Sequence, residues 1–253
     1  MDGFVVHELA ADVTVRVTRS MPALPPSVDT AVERLWRAAL ARVETGGAGR
    51  MFNGRVFSAD QITPHAITGH ITEYRRVVAQ LEDPSLFAQL GLRSLAVCGV
   101  LCCADGVVFG RRPDAAIYQP GLWQLPPAGS VDSGALRPDG TMNLAAQLLI
   151  ELAEEVGISP AQVGAPMPLC VVEHPDSHVS DVGMVLSTTL NAQAIHAAHR
   201  AIGDGEYREL RIIPPHAVAD FVAGIGDRLV PPAREFLFRA GLLNQGLSPP
   251  TGP

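Results

Sequence analysis

The sequence predicts an α/β protein in which a smaller α+β segment precedes a larger, more regular domain. Three observations predict this. Short runs of β-branched and apolar residues recur along the 253 residues, many bounded by Gly, Pro or Asp, as strands are. Two longer stretches, 27–43 and 141–156, carry apolar residues at helical spacing. Hydrophobic residues make up 47% of the chain and charged residues 18%, enough for a sizeable core and too few charges for wholesale disorder.

The elements follow in order. "FVVHEL" and "VTVRVT" suit two short strands. After "MPALPPS", Val32, Leu35, Trp36, Ala39 and Leu40 mark an amphipathic helix, which the glycines of "ETGGAG" end. "FNGRVFSADQITPHAITGHITEY" reads as a hairpin or meander broken at Pro64. A short helix follows, with Tyr74, Val77, Val78 and Leu81 on one face and Pro84 as its stop, and Gly91 marks a domain boundary. Beyond it, "SLAVCGVLCC", the turn "ADG" and "VVFGRR" read as strand, turn and strand. "YQPGLWQLPPAGSVDSGALRPDG" reads as a long structured loop, and residues 141–156 as a helix. "PLCVVEH", "VGMVLSTTL" and "ELRIIP" supply three more strands; His216–Ala223 and Pro232–Leu243 supply closing helices. The expected division is an extension over 1–91, a main domain over 92–243 and a flexible tail over 244–253.

Composition excludes several functions. A net charge of −7 disfavours nonspecific nucleic-acid binding. All 19 positive residues are arginine, so lysine Schiff-base chemistry and the lysine-dependent phosphate loop are absent. Cys98, Cys102, Cys103 and Cys170 form no CxxC pair and read as buried thiols rather than a zinc site. Asp2, His7 and Glu8 interrupt the apolar start, so no signal peptide is expected. No apolar run reaches the roughly 18 residues of a membrane span. A soluble cytoplasmic protein is expected, without membrane or nucleic-acid partners, and the N-terminal part is a candidate homodimerisation element.

The densest chemical signal is "LIELAEEVGI", residues 149–158. At about 100° per residue, Glu151, Glu154 and Glu155 share one arc of about 100°. Ala145, Leu149, Leu152 and Val156 form a separate apolar stripe, so the acids are expected to project away from the core. Like charges one turn apart cost about 0.2–0.5 kcal/mol, and acids at a helix C-terminus lose roughly another 0.3–1 kcal/mol each to the dipole. Between Arg137 and Arg200 the sequence offers no arginine or lysine, while seven Asp or Glu residues fall there. A solvated acidic face is one reading. A bound divalent cation, Mg²⁺ or Mn²⁺, is the better one, because hard oxygen donors suit it.

"GLWQLPPAG", a loop and then "ELAEEVGI" resemble the box of the Nudix hydrolases. Glu151, Leu152, Glu154, Glu155, Gly157 and Ile158 match its second half; Trp123, Pro126 and Gly129 match its approach. The consensus arginine falls on Ile150 and the upstream glutamate on Met142, so a structural ion pair of the family is lost as a unit. Gly129 precedes Glu151 by 22 positions, which implies an insertion of about seven residues around "VDSGALRPDG".

The resemblance implies an α/β/α sandwich with a mixed sheet, and hydrolysis of the diphosphate of a nucleoside diphosphate joined to a second group. It implies Glu151, Glu154 and Glu155 as cation ligands, Glu154 alternatively orienting water, and the carbonyl of Ala128 as a further ligand. Glu206 in "GDGEYREL" is the candidate for an additional catalytic acid, with Glu173 behind it. Arg111 and Arg112 are candidates to clamp phosphate or to form surface ion pairs, and Gly129 to line the substrate site. Trp123 either stacks on a base or packs beneath the loop. Tyr74 is a candidate for the nucleotide pocket. His65, His70, His174 and His178 read as loop or core histidines. "MFNGRVF" and "TEYRR", with the long loop before the box, resemble a subgroup that cleaves UDP-glucose to UMP and glucose 1-phosphate. The alternative is a nucleotide-binding or interaction protein of the same fold with weak or no catalysis, favoured by the changed positions 142 and 150.

Overall fold

A computed structural model describes residues 3–46, 51–114, 116, 119–202 and 206–244. Gly47 and Gly49, Gly203 and Gly205, and the expected flexible tail beyond residue 244 lie outside the described residues. The chain divides into two compact units. One comprises 1–97, 130–147 and 171–182; the other comprises 98–129, 148–170 and 183–253.

The first unit contains β1 (Val5–Glu8), β2 (Thr14–Val17), α1 (Pro26–Gly46), β3 (Arg55–Ile62), β4 (Ala66–Glu73), α2 (Tyr74–Glu82) and α3 (Phe87–Leu90). β3 and β4 form the expected hairpin, with a bulge between Ala59 and Gln61. Gly69 is required in it, because a Cβ there would run into the Ser58 carbonyl and the Phe57 ring. Val32, Val56, Val77, Ala79 and Leu86 belong to one buried cluster of helix and sheet residues. The helical spacing of α1 is realised through Val32, Trp36 and Ala39, all buried. The buried Gln80 amide brackets Leu92, donating to its carbonyl at 2.8 Å and accepting its N–H at 3.1 Å. That satisfies both backbone groups of one buried residue.

β5 (Leu95–Cys103) crosses from the first unit into the second. There follow β6 (Gly106–Arg111), β7 (Trp123–Gln124), β8 (Ala128–Ser130), β9 (Thr141–Met142) and α4 (Leu144–Glu155). Then come β10 (Met167–Glu173), β11 (Ser180–Ser187), α5 (Ala192–Ile202), β12 (Glu209–Ile213), α6 (Val218–Ile225) and α7 (Pro232–Arg239). An eight-stranded sheet has the order β1-β10-β11-β5-β6-β12, with β7 beside β6 and β8 beside β5. A four-stranded sheet has the order β3-β4-β2-β9, in which β2 lies parallel to β4. The mixed α/β character is as expected.

Several elements differ from expectation. The helix of the acidic cluster starts at Leu144, because Thr141 and Met142 pair with Arg16 and Val15 as β9. Asn143 then caps it, its side chain accepting the Ala146 N–H at 3.2 Å. The inserted segment folds with the N-terminal strands: Phe57 N–H donates to the Val131 carbonyl at 2.8 Å, and Val56 bridges Asp132. The long loop contains β7 and β8, too short for a periodicity to reveal. Helix α5 was not expected; its sequence signal is Asn191, whose side chain accepts the Ala194 N–H at 2.9 Å. The first closing helix keeps its length but is shifted by two residues to Val218–Ile225, and the second is shorter than expected, ending at Arg239. None of the four cysteines is in a disulfide; Cys98 and Cys170 are buried, and Cys102 and Cys103 are half-buried.

Candidate active site

The site lies within the second unit, where β6, β7, β8, α4 and the residues just ahead of β12 supply its residues. β8 enters through "LPPAG", fixed to β5 by the Gly99 N–H, which donates to the Pro127 carbonyl at 2.7 Å. The next N–H, that of Ala128, donates to Oε2 of Glu155 at 2.9 Å. Gly129 follows, and a Cβ there would overlap Cδ and Oε1 of Glu151. The glycine therefore leaves the space that the Glu151 carboxylate fills. At the end of α4, Gly157 takes φ +78°, the left-handed cap that glycine adopts without strain.

Burial of the three acids departs from the expected outward arc. Glu155 is 6% exposed, Glu151 is half-buried and Glu154 is exposed. On the helix wheel Glu155 lies between Leu144 and Leu148, and Leu148, Leu152 and Val156 are fully buried. The core stripe is therefore wider than the apolar residues suggest, and it takes in the last acid. A carboxylate at that depth needs donors. It has two: the Ala128 N–H and the hydroxyl of Tyr207, which donates to the same Oε2 at 3.1 Å. Burial drives the Glu155 carboxyl well above the ordinary range; the charges of Glu151 and Glu206 add to this, while the Ala128 and Tyr207 donors oppose it. Burial and the Glu155 charge likewise raise the Tyr207 phenol, which keeps it a donor.

Glu206 pairs with Arg112 at 3.0 Å, and Arg112 also donates to the Gln124 side chain at 2.9 Å. Arg111 donates to the Gly121 carbonyl at 3.2 Å and lies 3.5 Å from Asp114. Both arginines thus have acidic neighbours within the protein itself. Trp123 is 4% exposed, edge-on to Phe221 at 5.4 Å, with the Arg211 guanidinium 5.0 Å over its ring. Base stacking is corrected to packing, because these neighbours leave no open face. Tyr74 belongs to the first unit, edge-on to Trp36 at 6.3 Å. The arginines beside it are engaged as well: Arg75 with Asp29 and Glu73, Arg76 with Glu73 and the Pro22 carbonyl. Of the remaining candidates, Glu173 accepts from Arg93 and His178, and His174 pairs with Asp181. Met142 is buried in β9, and Ile150 is 45% exposed on α4.

Among the described residues, no three His, Cys, Asp or Glu side chains form a ready metal cage. Of the three acids, Glu154 is exposed, while Glu151 and Glu155 lie at the β8 edge. Sequence reasoning missed Tyr207. The one signal for it was its place beside Glu206, ahead of the strand "ELRII".

No family model matches this chain, and no curated protein matches it. Solved structures do. DR0079 from Deinococcus radiodurans is 15% identical over 73% of this chain and 98% of its own, with a TM-score of 0.45. A bifunctional NMN adenylyltransferase/ADP ribose pyrophosphatase from Francisella tularensis is 15% identical over 66% of this chain and 48% of its own, with a TM-score of 0.39. An Ap4A hydrolase from C. elegans is 18% identical over 58% of this chain and 98% of its own, with a TM-score of 0.34.

Proposed function

We propose that this chain is a divalent-cation-dependent pyrophosphohydrolase of the Nudix type, acting on a nucleoside diphosphate joined to a second group. One observation carries the reading. The two halves of the box, separated by the inserted segment, meet: Ala128 N–H holds Glu155, and Gly129 makes room for Glu151. A chance acidic helix end would have no reason to fit "LPPAG" in this way.

The donors suit Mg²⁺ or Mn²⁺. Magnesium is commonly held by one or two carboxylates with waters and substrate phosphates completing the shell, so Glu151 and Glu155 suffice without a protein cage. The Ala128 carbonyl is a further oxygen donor of the same hard type, and Glu154 is left to orient water. Bound there, the cation supplies charge stabilisation to a diphosphate. The chain's own part is to place the carboxylates, with β8 fixing one oxygen of Glu155 and Gly129 setting the approach of Glu151. Arg112 holds Glu206, the candidate catalytic acid, and carries a guanidinium suited to phosphate.

The finer assignment is a nucleotide sugar, UDP-glucose first, giving UMP and glucose 1-phosphate. Its support is the resemblance of "MFNGRVF" and "TEYRR" together with the inserted segment, while the side chains of Tyr74, Arg75 and Arg76 are engaged within their own unit. The test is a panel of nucleotide sugars, dinucleotides and nucleoside triphosphates with Mg²⁺, products resolved by chromatography. A UDP-sugar is expected to yield a nucleoside monophosphate and a sugar 1-phosphate. A triphosphate or ADP-ribose cleaved with about tenfold higher kcat/KM, about 1.4 kcal/mol of discrimination, would overturn the sugar assignment and leave the chemistry. Tight nucleotide binding with no cleavage of any panel member would favour the binding protein instead.

A further inference from the structure

Tyr207 sits just after Glu206 and two residues before β12, on a built seat. Its ring is 2% exposed. Gly110 of β6 lies beneath it without a side chain; a Cβ there would overlap the ring. The backbone is held too, since Arg208 N–H donates to the Arg111 carbonyl at 3.0 Å and β12 pairs with β6 from Glu209 onwards. A phenol fixed at both ring and backbone has little freedom to point its hydroxyl elsewhere. It points to Oε2 of Glu155 at 3.1 Å, the oxygen that already accepts the Ala128 N–H at 2.9 Å.

Two donors on one oxygen fix the plane of a carboxylate and decide which oxygen stays available. The chemistry of the second donor also matters. An arginine or lysine there would neutralise Glu155 and compete with a cation, whereas a neutral phenol orients the carboxylate and leaves its charge in place. We propose that Tyr207 is a positioning residue of the site: its hydroxyl ties down Oε2 of Glu155, so that Oε1 is the oxygen offered to the divalent cation. The nature of the ligand rests on the pyrophosphohydrolase reading; the fixing of the carboxylate does not.

The experiment compares the full chain with Tyr207→Phe, which keeps the ring and removes only the hydroxyl. Mn²⁺ affinity is measured by calorimetry on metal-free protein, together with Tm, kcat and KM. Loss of a group that orients a metal ligand weakens metal binding by about 10- to 100-fold. A loss of that size is expected here, with kcat falling and the substrate KM changing less than about threefold. The double-mutant cycle with Glu155→Gln separates orientation from packing: Tyr207→Phe is expected to change Mn²⁺ affinity little further in that background. Mn²⁺ affinity within about twofold of wild type, about 0.4 kcal/mol, with only Tm reduced, would overturn the proposal, as would equal losses in both backgrounds. If Tyr207→Phe weakens Mn²⁺ while the wild type cleaves no member of the panel, the positioning role stands and the pyrophosphohydrolase reading fails. A wild type that binds no Mn²⁺ overturns both.

Discussion

Glu155 occupies a place that an isolated helix would give to leucine. Its carboxyl is buried between apolar positions, and two donors from distant parts of the chain make that tolerable. The pH sign follows from its raised pKa. Above the ordinary value of 4.5 the folded state keeps a proton that the unfolded chain has lost. Stability therefore falls as pH rises from there through the folded pKa. Metal-free protein melted between about pH 5 and about pH 8 is expected to lose Tm with rising pH, and Glu155→Gln is expected to flatten that slope. The same variant is expected to lose about a hundredfold or more in kcat, about 2.7 kcal/mol of transition-state stabilisation. Steady-state kinetics with activity within about threefold of wild type would remove Glu155 from the reaction. Gly129→Ala tests the neighbouring acid. Its new Cβ meets the mobile end of Glu151 rather than backbone, so the fold is expected to hold while kcat falls by about 10- to 100-fold through a displaced carboxylate.

At the scale of elements, α4 is shaped at both ends by what it meets. Its N-terminus is cut back to Leu144 because Thr141 and Met142 find partners in β2. Its C-terminus is set by Gly157, where φ is +78° and a Cβ would lie 2.6 Å from the Ala198 carbonyl. Left-handed backbone costs a residue with a side chain about 1–2 kcal/mol, and the clash with backbone adds to it. Gly157→Ala is therefore expected to destabilise the protein by about 2–4 kcal/mol. That corresponds to a Tm lowered by roughly 4–16 °C in a scanning melt. Most elements were legible from sequence where their period was long enough: α1, the β3–β4 hairpin, α2, β5 and β6 all stand where their spacing placed them. The misses were short or borrowed. β7, β8 and β9 have two or three residues each and exist through their partners.

For the whole molecule, cation binding is expected to be visible as stability. A ligand taken by the folded state alone adds about 2.7 kcal/mol at a hundredfold excess over Kd. Metal-free protein is thus expected to gain several degrees of Tm in Mg²⁺ or Mn²⁺, reversed by a chelator. A titration with no change in Tm and no heat would remove the site. No described helix is long and apolar enough to cross a membrane.

Read alone, the residues of the chain set the α/β class, the order of the main strands and helices, and the two stretches "LPPAG" and "ELAEEVGI" that mark the site. These are properties of local period and of residue type at fixed spacing, and they need no knowledge of partners. It took the folded packing to show that Glu155 is buried and Glu154 is not, that Trp123 is packed under its neighbours, that the inserted segment joins the N-terminal strands, and that Tyr207 reaches Glu155 across 52 residues of chain. The physical reason is that a helix wheel gives angles between side chains but not the width of the surface that covers them. That width is set by strands and loops far away in sequence, here by β8 and the residues ahead of β12.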